Sequence, residues 1–120
     1  MGTGKVMKRM ILALLLVSGL ASCSVQDQMN AKFGDQHFKT AIALIELYHL
    51  RNGVYPESLK ALTFTGDWDP IALQSVHYER LDNGYELDIV NGWVGQPKLS
   101  YPPEFWKNLG LVKTNVGGRS

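Results

Sequence analysis

Cys23 is the only cysteine in the chain. Its thiol can serve as a nucleophile, a metal ligand or an attachment point, but an intramolecular disulfide is impossible. His37, His49 and His77 are the only imidazoles. Their separations match neither the i, i+4 pair nor the short His–His spacing of a zinc site, so no resident metal is expected. Asp67-Trp68-Asp69 sets two carboxylates around an aromatic ring, a pattern able to hold calcium or a sugar. Between Gly66 and Pro70, however, aspartates ordinarily do turn chemistry. Ser58 follows Pro56-Glu57 with no base implied beside it. No Gly-x-Ser-x-Gly elbow, Cys-His pairing, glycine-rich phosphate loop or His-Glu-x-x-His run occurs. Neither a catalytic residue nor a cofactor is expected, and the reading is of a non-enzyme. Trp68, Trp93 and Trp106 remain; a small core absorbs one or two tryptophans, and an exposed third marks a binding surface. Phe105-Trp106, behind Pro102-Pro103, is the first place to look for that surface, although core packing is its more ordinary use.

What positions Cys23 is the segment before it. Lys8 and Arg9 precede an almost unbroken Leu, Ile, Ala and Met run from Met10 to Val17, and Leu20-Ala21-Ser22-Cys23 closes it. The run is far short of the ~20 apolar residues of a spanning helix, so it reads as a targeting signal. This order of basic start, short apolar stretch, two small residues and cysteine resembles the lipobox of bacterial lipoprotein precursors. The resemblance implies a signal peptide over residues 1–22, cleavage between Ser22 and Cys23, and diacylglycerol on the Cys23 sulfur. A single acyl chain holds marginally and two or three hold stably, so the implied anchor is permanent. Ser24 rather than Asp follows the cysteine, which in Gram-negative lipoproteins implies transport to the outer membrane.

Lys5, Lys8 and Arg9 leave with residues 1–22, so 12 Lys and Arg fall to 9 against 11 Asp and Glu, a net charge of −2 on 98 residues. That length suits one domain. No basic cluster survives, which excludes the electrostatic footprint of a nucleic-acid binder. Residues 23–34 are polar without a period and read as a lipidated tether.

From Asp35 to Asn52 the spacing predicts a helix. Phe38, Ala41, Ile42, Ile45 and Tyr48 share one stripe, and Ala43, Leu44, Leu47 and Leu50 widen it. Asp35 suits the first turn and Asn52-Gly53 a left-handed stop. Pro56 holds Tyr55 extended, after which Glu57–Leu62 forms a short turn presenting Leu59 and Leu62. Thr63–Ala72 reads as a loop. Ser75–Val90 reads as a hairpin around Asp82-Asn83-Gly84. In it Val76, Tyr78 and Arg80 share a face, as do His77, Glu79 and Leu81, and Tyr85, Leu87 and Ile89 oppose Glu86, Asp88 and Val90. A further strand is expected at Lys98–Tyr101 and a frayed tail at Thr114–Ser120.

The run Ala41–Leu62, with its amphipathic helix, Asn52-Gly53-Val54-Tyr55-Pro56 turn and Leu59-Lys60-Ala61-Leu62, resembles the helix exit of type IV pilin-like proteins and type II secretion pseudopilins. There Asn52, Gly53, Tyr55 and Pro56 set the turn: glycine reverses the chain, tyrosine covers the helix end and proline fixes the departure. The pilin leader, cut before Phe-Thr-Leu-x-x-Glu, and the assembly helix behind it are missing from the pattern. Asp67, Asp69, Glu79 and Asp82 do not match the calcium loop of the major pseudopilins. The expected architecture is therefore α+β: one long helix on a small antiparallel sheet of three to four strands, forming a single pilin-like domain over residues 35–120. The expected role is a membrane-anchored envelope lipoprotein, facing the periplasm, with a protein partner in a secretion or pilus-like system. The alternative is a lipoprotein that binds a small ligand or the cell wall.

Overall fold

The computed structural model describes the backbone of residues 2–63, 66–67, 69–92 and 95–119, with side chains from Val25 onward except Gln26. The first element is a single helix, α1 (Gly2–Asn52). Its core contact is the expected stripe: Phe38, Ala41 and Ile45 are wholly buried and Ile42 and Leu44 nearly so. The stripe is narrower than the sequence suggests, because Ala43 and Leu50 face solvent. Asp35 is not a first-turn residue, since the helix continues through it; its carboxylate instead pairs with Lys39 at 3.0 Å and accepts the Tyr101 hydroxyl at 2.7 Å.

Residues 23–34, expected to serve as a tether, are helical and form part of α1. Gln, Met, Ala and Lys are good helix formers, and no proline interrupts them. The weak point, Gly34, has a packing reason, because a Cβ there would meet the Pro97 ring at 2.4 Å. Glycine lets the chain around Pro97 lie directly on the helix.

The helix stops where Asn52-Gly53 predicts. The Asn52 amide donates to the Tyr48 carbonyl at 2.9 Å and the Gly53 N–H to the His49 carbonyl at 2.8 Å. Gly53 has φ of +77°, the left-handed conformation that ends helices. Pro56 is buried behind it, and a 3₁₀ turn at Leu59–Ala61 delivers Leu62 to the core.

A short helix, α2 (Asp69–Gln74), overlaps the end of the stretch expected to be a loop. Its start is chemically specified. Pro70 suits the first turn of a helix, and the Asp69 carboxylate takes the Gly66 N–H at 3.0 Å while the Asp69 N–H bonds the Gly66 carbonyl. Ala72 and Leu73 are buried.

The hairpin follows as β1 (Val76–Leu81) and β2 (Gly84–Ile89), paired antiparallel from Val76↔Ile89 to Leu81↔Gly84. Period-two alternation puts Tyr85, Leu87 and Ile89 in the core with at most 1% exposure. The third strand departs from expectation in place and direction. It is β3 (Leu111–Lys113), parallel to β2, so the sheet is mixed, in the order β1-β2-β3. Lys98–Tyr101 makes only one bridge, Ser100↔Gly117.

Nor are residues 114–119 frayed. The Asn115 amide imitates a strand partner by accepting the Ile89 N–H and donating to the Ile89 carbonyl, both at 2.9 Å. Val116 is buried, and Gly117 exchanges backbone bonds with Leu99 and Tyr101. The fold is thus α+β, one long helix packed on a small three-stranded sheet.

Candidate functional site

Three regions of the domain bring polar or reactive side chains together. At the helix exit Glu46 stands one turn after Ile42 and beside Ile45, on the edge of the buried stripe. Its Oε1 accepts the Tyr85 hydroxyl at 3.0 Å and the Gly110 N–H at 2.9 Å, and its Oε2 accepts the Tyr55 hydroxyl at 2.9 Å. One carboxylate therefore ties the helix, the turn, the hairpin and the approach to β3. Gly110 permits this closeness, since a Cβ there would lie 2.1 Å from the Tyr55 hydroxyl oxygen. Tyr55 stacks on His49 at 4.1 Å between ring centroids and so covers the helix end, and the Tyr78 hydroxyl donates to the Pro56 carbonyl.

Burial, and then the Glu46 carboxylate, push the Tyr55 hydroxyl up to about 12. Burial raises Tyr78 to about 12 as well, and Tyr85 is shifted upward by burial first and by Glu46 after it. These hydroxyls are donors at neutral pH. An open cleft of about 570 Å³ adjoins them, lined by His49, Tyr55, Arg80 and Asp82 among others. Asn52, Gly53, Tyr55 and Pro56, which the sequence singles out, all belong to this region. Glu46 is the residue the sequence reading missed; the available signal was an acid at i+4 from Ile42.

The outward face of the hairpin is the second region. His77 and Glu79, two apart on β1, point the same way, and Glu79 lies opposite Glu86 in the register. Ligand atoms of His77, Glu79 and Glu86 lie within 4.8 Å of one another. Lys113 Nζ stands 3.2 Å from Glu86 Oε2 and His77 Nε2 stands 3.9 Å from Glu86 Oε1. A search for His–His spacing along the chain cannot detect this grouping, because the third donor arrives across a strand pair.

The third region is a groove of about 420 Å³ between α1 and α2, lined by residues that include His37, Thr40, Ile71 and Ala72. His37 Nδ1 is buried there without a hydrogen-bond partner among the described residues, and burial lowers its pKa from the usual histidine value.

Phe105-Trp106 takes the more ordinary of its two expected uses, core packing. Trp106 is 7% exposed and belongs to the core, in edge contact with Phe38 at 6.3 Å, while Phe105 is partly buried between Tyr101 and Trp106. The pair is not an exposed patch, because Tyr101 packs on both rings and Phe38 on Trp106. Asp69 is committed to the start of α2 and Asp67 is exposed. Trp68, Trp93 and the side chains of Leu20, Ala21, Ser22 and Cys23 lie outside the described residues. Among the described residues no helix is long and apolar enough to cross a membrane. Compared with protein-family models, curated proteins and solved structures, the chain matches none.

Proposed function

We propose that this protein is a cell-envelope lipoprotein, held at the outer membrane by lipid on Cys23, whose domain is a non-enzymatic interaction module serving a secretion or pilus-like assembly. The observation that carries the reading is Leu20-Ala21-Ser22-Cys23 closing an apolar run behind Lys8-Arg9. Two features of the fold support it. The helix continues from the anchor region into the core, so the domain is carried on a stiff rod. At the rod's far end Leu50 and Val54 are 81% and 56% exposed, beside the His49–Arg80 cleft. Burying large aliphatic side chains such as these against a partner is worth ~1.5–3 kcal/mol each, so that tip is the surface the module presents. The helix, the Asn-Gly-x-Tyr-Pro exit and the small sheet agree with the pilin-like resemblance; the parallel β3 departs from it.

The anchor is tested by labelling cells with radioactive palmitate. Label on the wild type, and none on Cys23→Ala, is the expected result; label retained on Cys23→Ala overturns the anchor. The presenting surface is tested by cross-linking in the envelope, where Leu50→Asp with Val54→Asp should remove a partner captured by the wild type. A second reading, a lipoprotein that binds a small ligand or the cell wall, is favoured by the polar cleft itself. It requires Arg80→Gln and Asp82→Asn to abolish binding, with the Leu50 and Val54 changes nearly silent.

A further inference from the structure

The outward face of the hairpin has an electrostatic arrangement that folding by itself does not favour. Glu79 and Glu86 are directly opposed across β1 and β2, and like charges in that position destabilise a strand pair. The basic groups nearby do not resolve the opposition evenly. Lys113 and His77 both gather on Glu86, whose side chain is only 12% exposed. Among the described residues Glu79 makes no ion pair, although its carboxylate is within 4.8 Å of the His77 and Glu86 donors. The backbone beneath all three is held by a continuous antiparallel ladder, so only side-chain rotation separates the present arrangement from a convergent one.

We propose that His77, Glu79 and Glu86 form a binding site for a divalent transition-metal ion, with zinc the best fit. The donor set decides the metal class. One imidazole nitrogen with two carboxylates suits zinc, whereas calcium and magnesium take oxygen donors almost exclusively. Zinc bonds of ~2.0–2.2 Å place neighbouring ligand atoms of a tetrahedron roughly 3.4 Å apart, so groups within 4.8 Å of one another must close by up to about 1.4 Å, which side-chain rotation supplies. Three protein ligands leave a position for water or for a donor from a binding partner. The Lys113 ammonium competes for Glu86 and holds the site below the affinity of a dedicated structural centre. Binding on the order of micromolar is expected, equivalent to about −8 kcal/mol.

The experiment is zinc chloride titrated calorimetrically into the full-length chain in detergent, in chelator-free buffer, with calcium chloride in parallel. One zinc equivalent is expected, with calcium binding at least about tenfold weaker. His77→Gln, Glu79→Gln and Glu86→Gln should each weaken zinc at least about tenfold while circular dichroism shows the fold kept. Lys113→Gln should tighten it roughly threefold by freeing Glu86. Asp88→Asn is the control: it lies on the same face but is bonded to the Asn115 N–H at 2.8 Å, and it should change affinity less than twofold. No zinc binding up to about 1 mM, binding unchanged in the three site variants, or an equal loss in Asp88→Asn would each overturn the site. Histidine-selective NMR on the wild type gives a second reading: zinc must shift His77 and leave His37 and His49 in place.

Discussion

The two faces of one hairpin handle carboxylates in opposite ways. Toward the core, Tyr85 meets Glu46, a single acid saturated by two hydroxyls and one backbone N–H. Toward solvent, Glu79 and Glu86 oppose each other and share the attention of Lys113 and His77 unequally. An unmet polar group on the inner face is costly, since burying one without a partner costs ~1–3 kcal/mol. The outer face can, because water solvates whatever the protein leaves unpaired and screens the rest. Polar order inside the domain therefore reads as architecture. Polar disorder outside, where two like charges persist side by side, reads as room for a ligand.

The largest effect should come from the inner face. Leu87 is wholly buried, and Leu87→Ala should cost about 3 kcal/mol, within the range for buried leucines, read as a lowered urea midpoint with unchanged slope. Glu46→Ala should follow closely at about 2–3 kcal/mol, because it strands Tyr55, Tyr85 and Gly110 together. Glu46→Gln, which keeps an acceptor, should recover about half of that loss. If Glu46→Ala melts like the wild type, the inner carboxylate is no more structural than the outer ones and the contrast fails.

Gly53→Val tests the turn that brings Tyr55 to Glu46. No atom lies within 4 Å of the position a Cβ would occupy, so only the +77° backbone angle resists the change. A left-handed conformation costs ~1–2 kcal/mol for an ordinary residue, and a β-branched one should sit at the upper end. An unchanged melting temperature would mean that this turn readily relaxes.

Alkaline titration sharpens the comparison further. Tyr55 and Tyr78 ionise near 12 in the folded state against an ordinary value of 10.0. A group whose folded pKa is raised stabilises the native state fully below its unfolded pKa. Stability should hold up to about pH 10 and fall as pH rises toward about 12, followed by tyrosinate absorbance alongside circular dichroism. Tyr55→Phe should remove part of that slope. Early ionisation of both tyrosines would show that the network is open to water.

The smallest effect belongs to the outer face. Glu79→Gln relieves the opposed charges and should be neutral or stabilising by about 0.5 kcal/mol in metal-free buffer. With zinc present the sign should reverse, since the wild type alone gains from the ion.

Much of what depended on neighbours along the chain was legible before the fold was known, although the locally specified start of α2 was not. The helix stripe, the Asn52-Gly53 stop, the 3₁₀ turn before Leu62 and the hairpin around Asp82-Asn83-Gly84 each arise from periodicity or from a local backbone preference. The lipobox-like run Leu20-Ala21-Ser22-Cys23, on which the proposed anchor rests, is likewise contiguous in the sequence. What only the tertiary structure decided was pairing between distant segments. β3 is three residues long, too short to announce itself, and it runs parallel to β2. The tail is ordered by Asn115 finding Ile89, twenty-six positions earlier. Trp106 is interior because Phe38 and Tyr101 surround it. Glu46 becomes a hub, and Glu79 faces Glu86, through register and packing alone: a carboxylate's role is set by the donors the fold brings within about 3 Å, and those donors lie far away in the sequence.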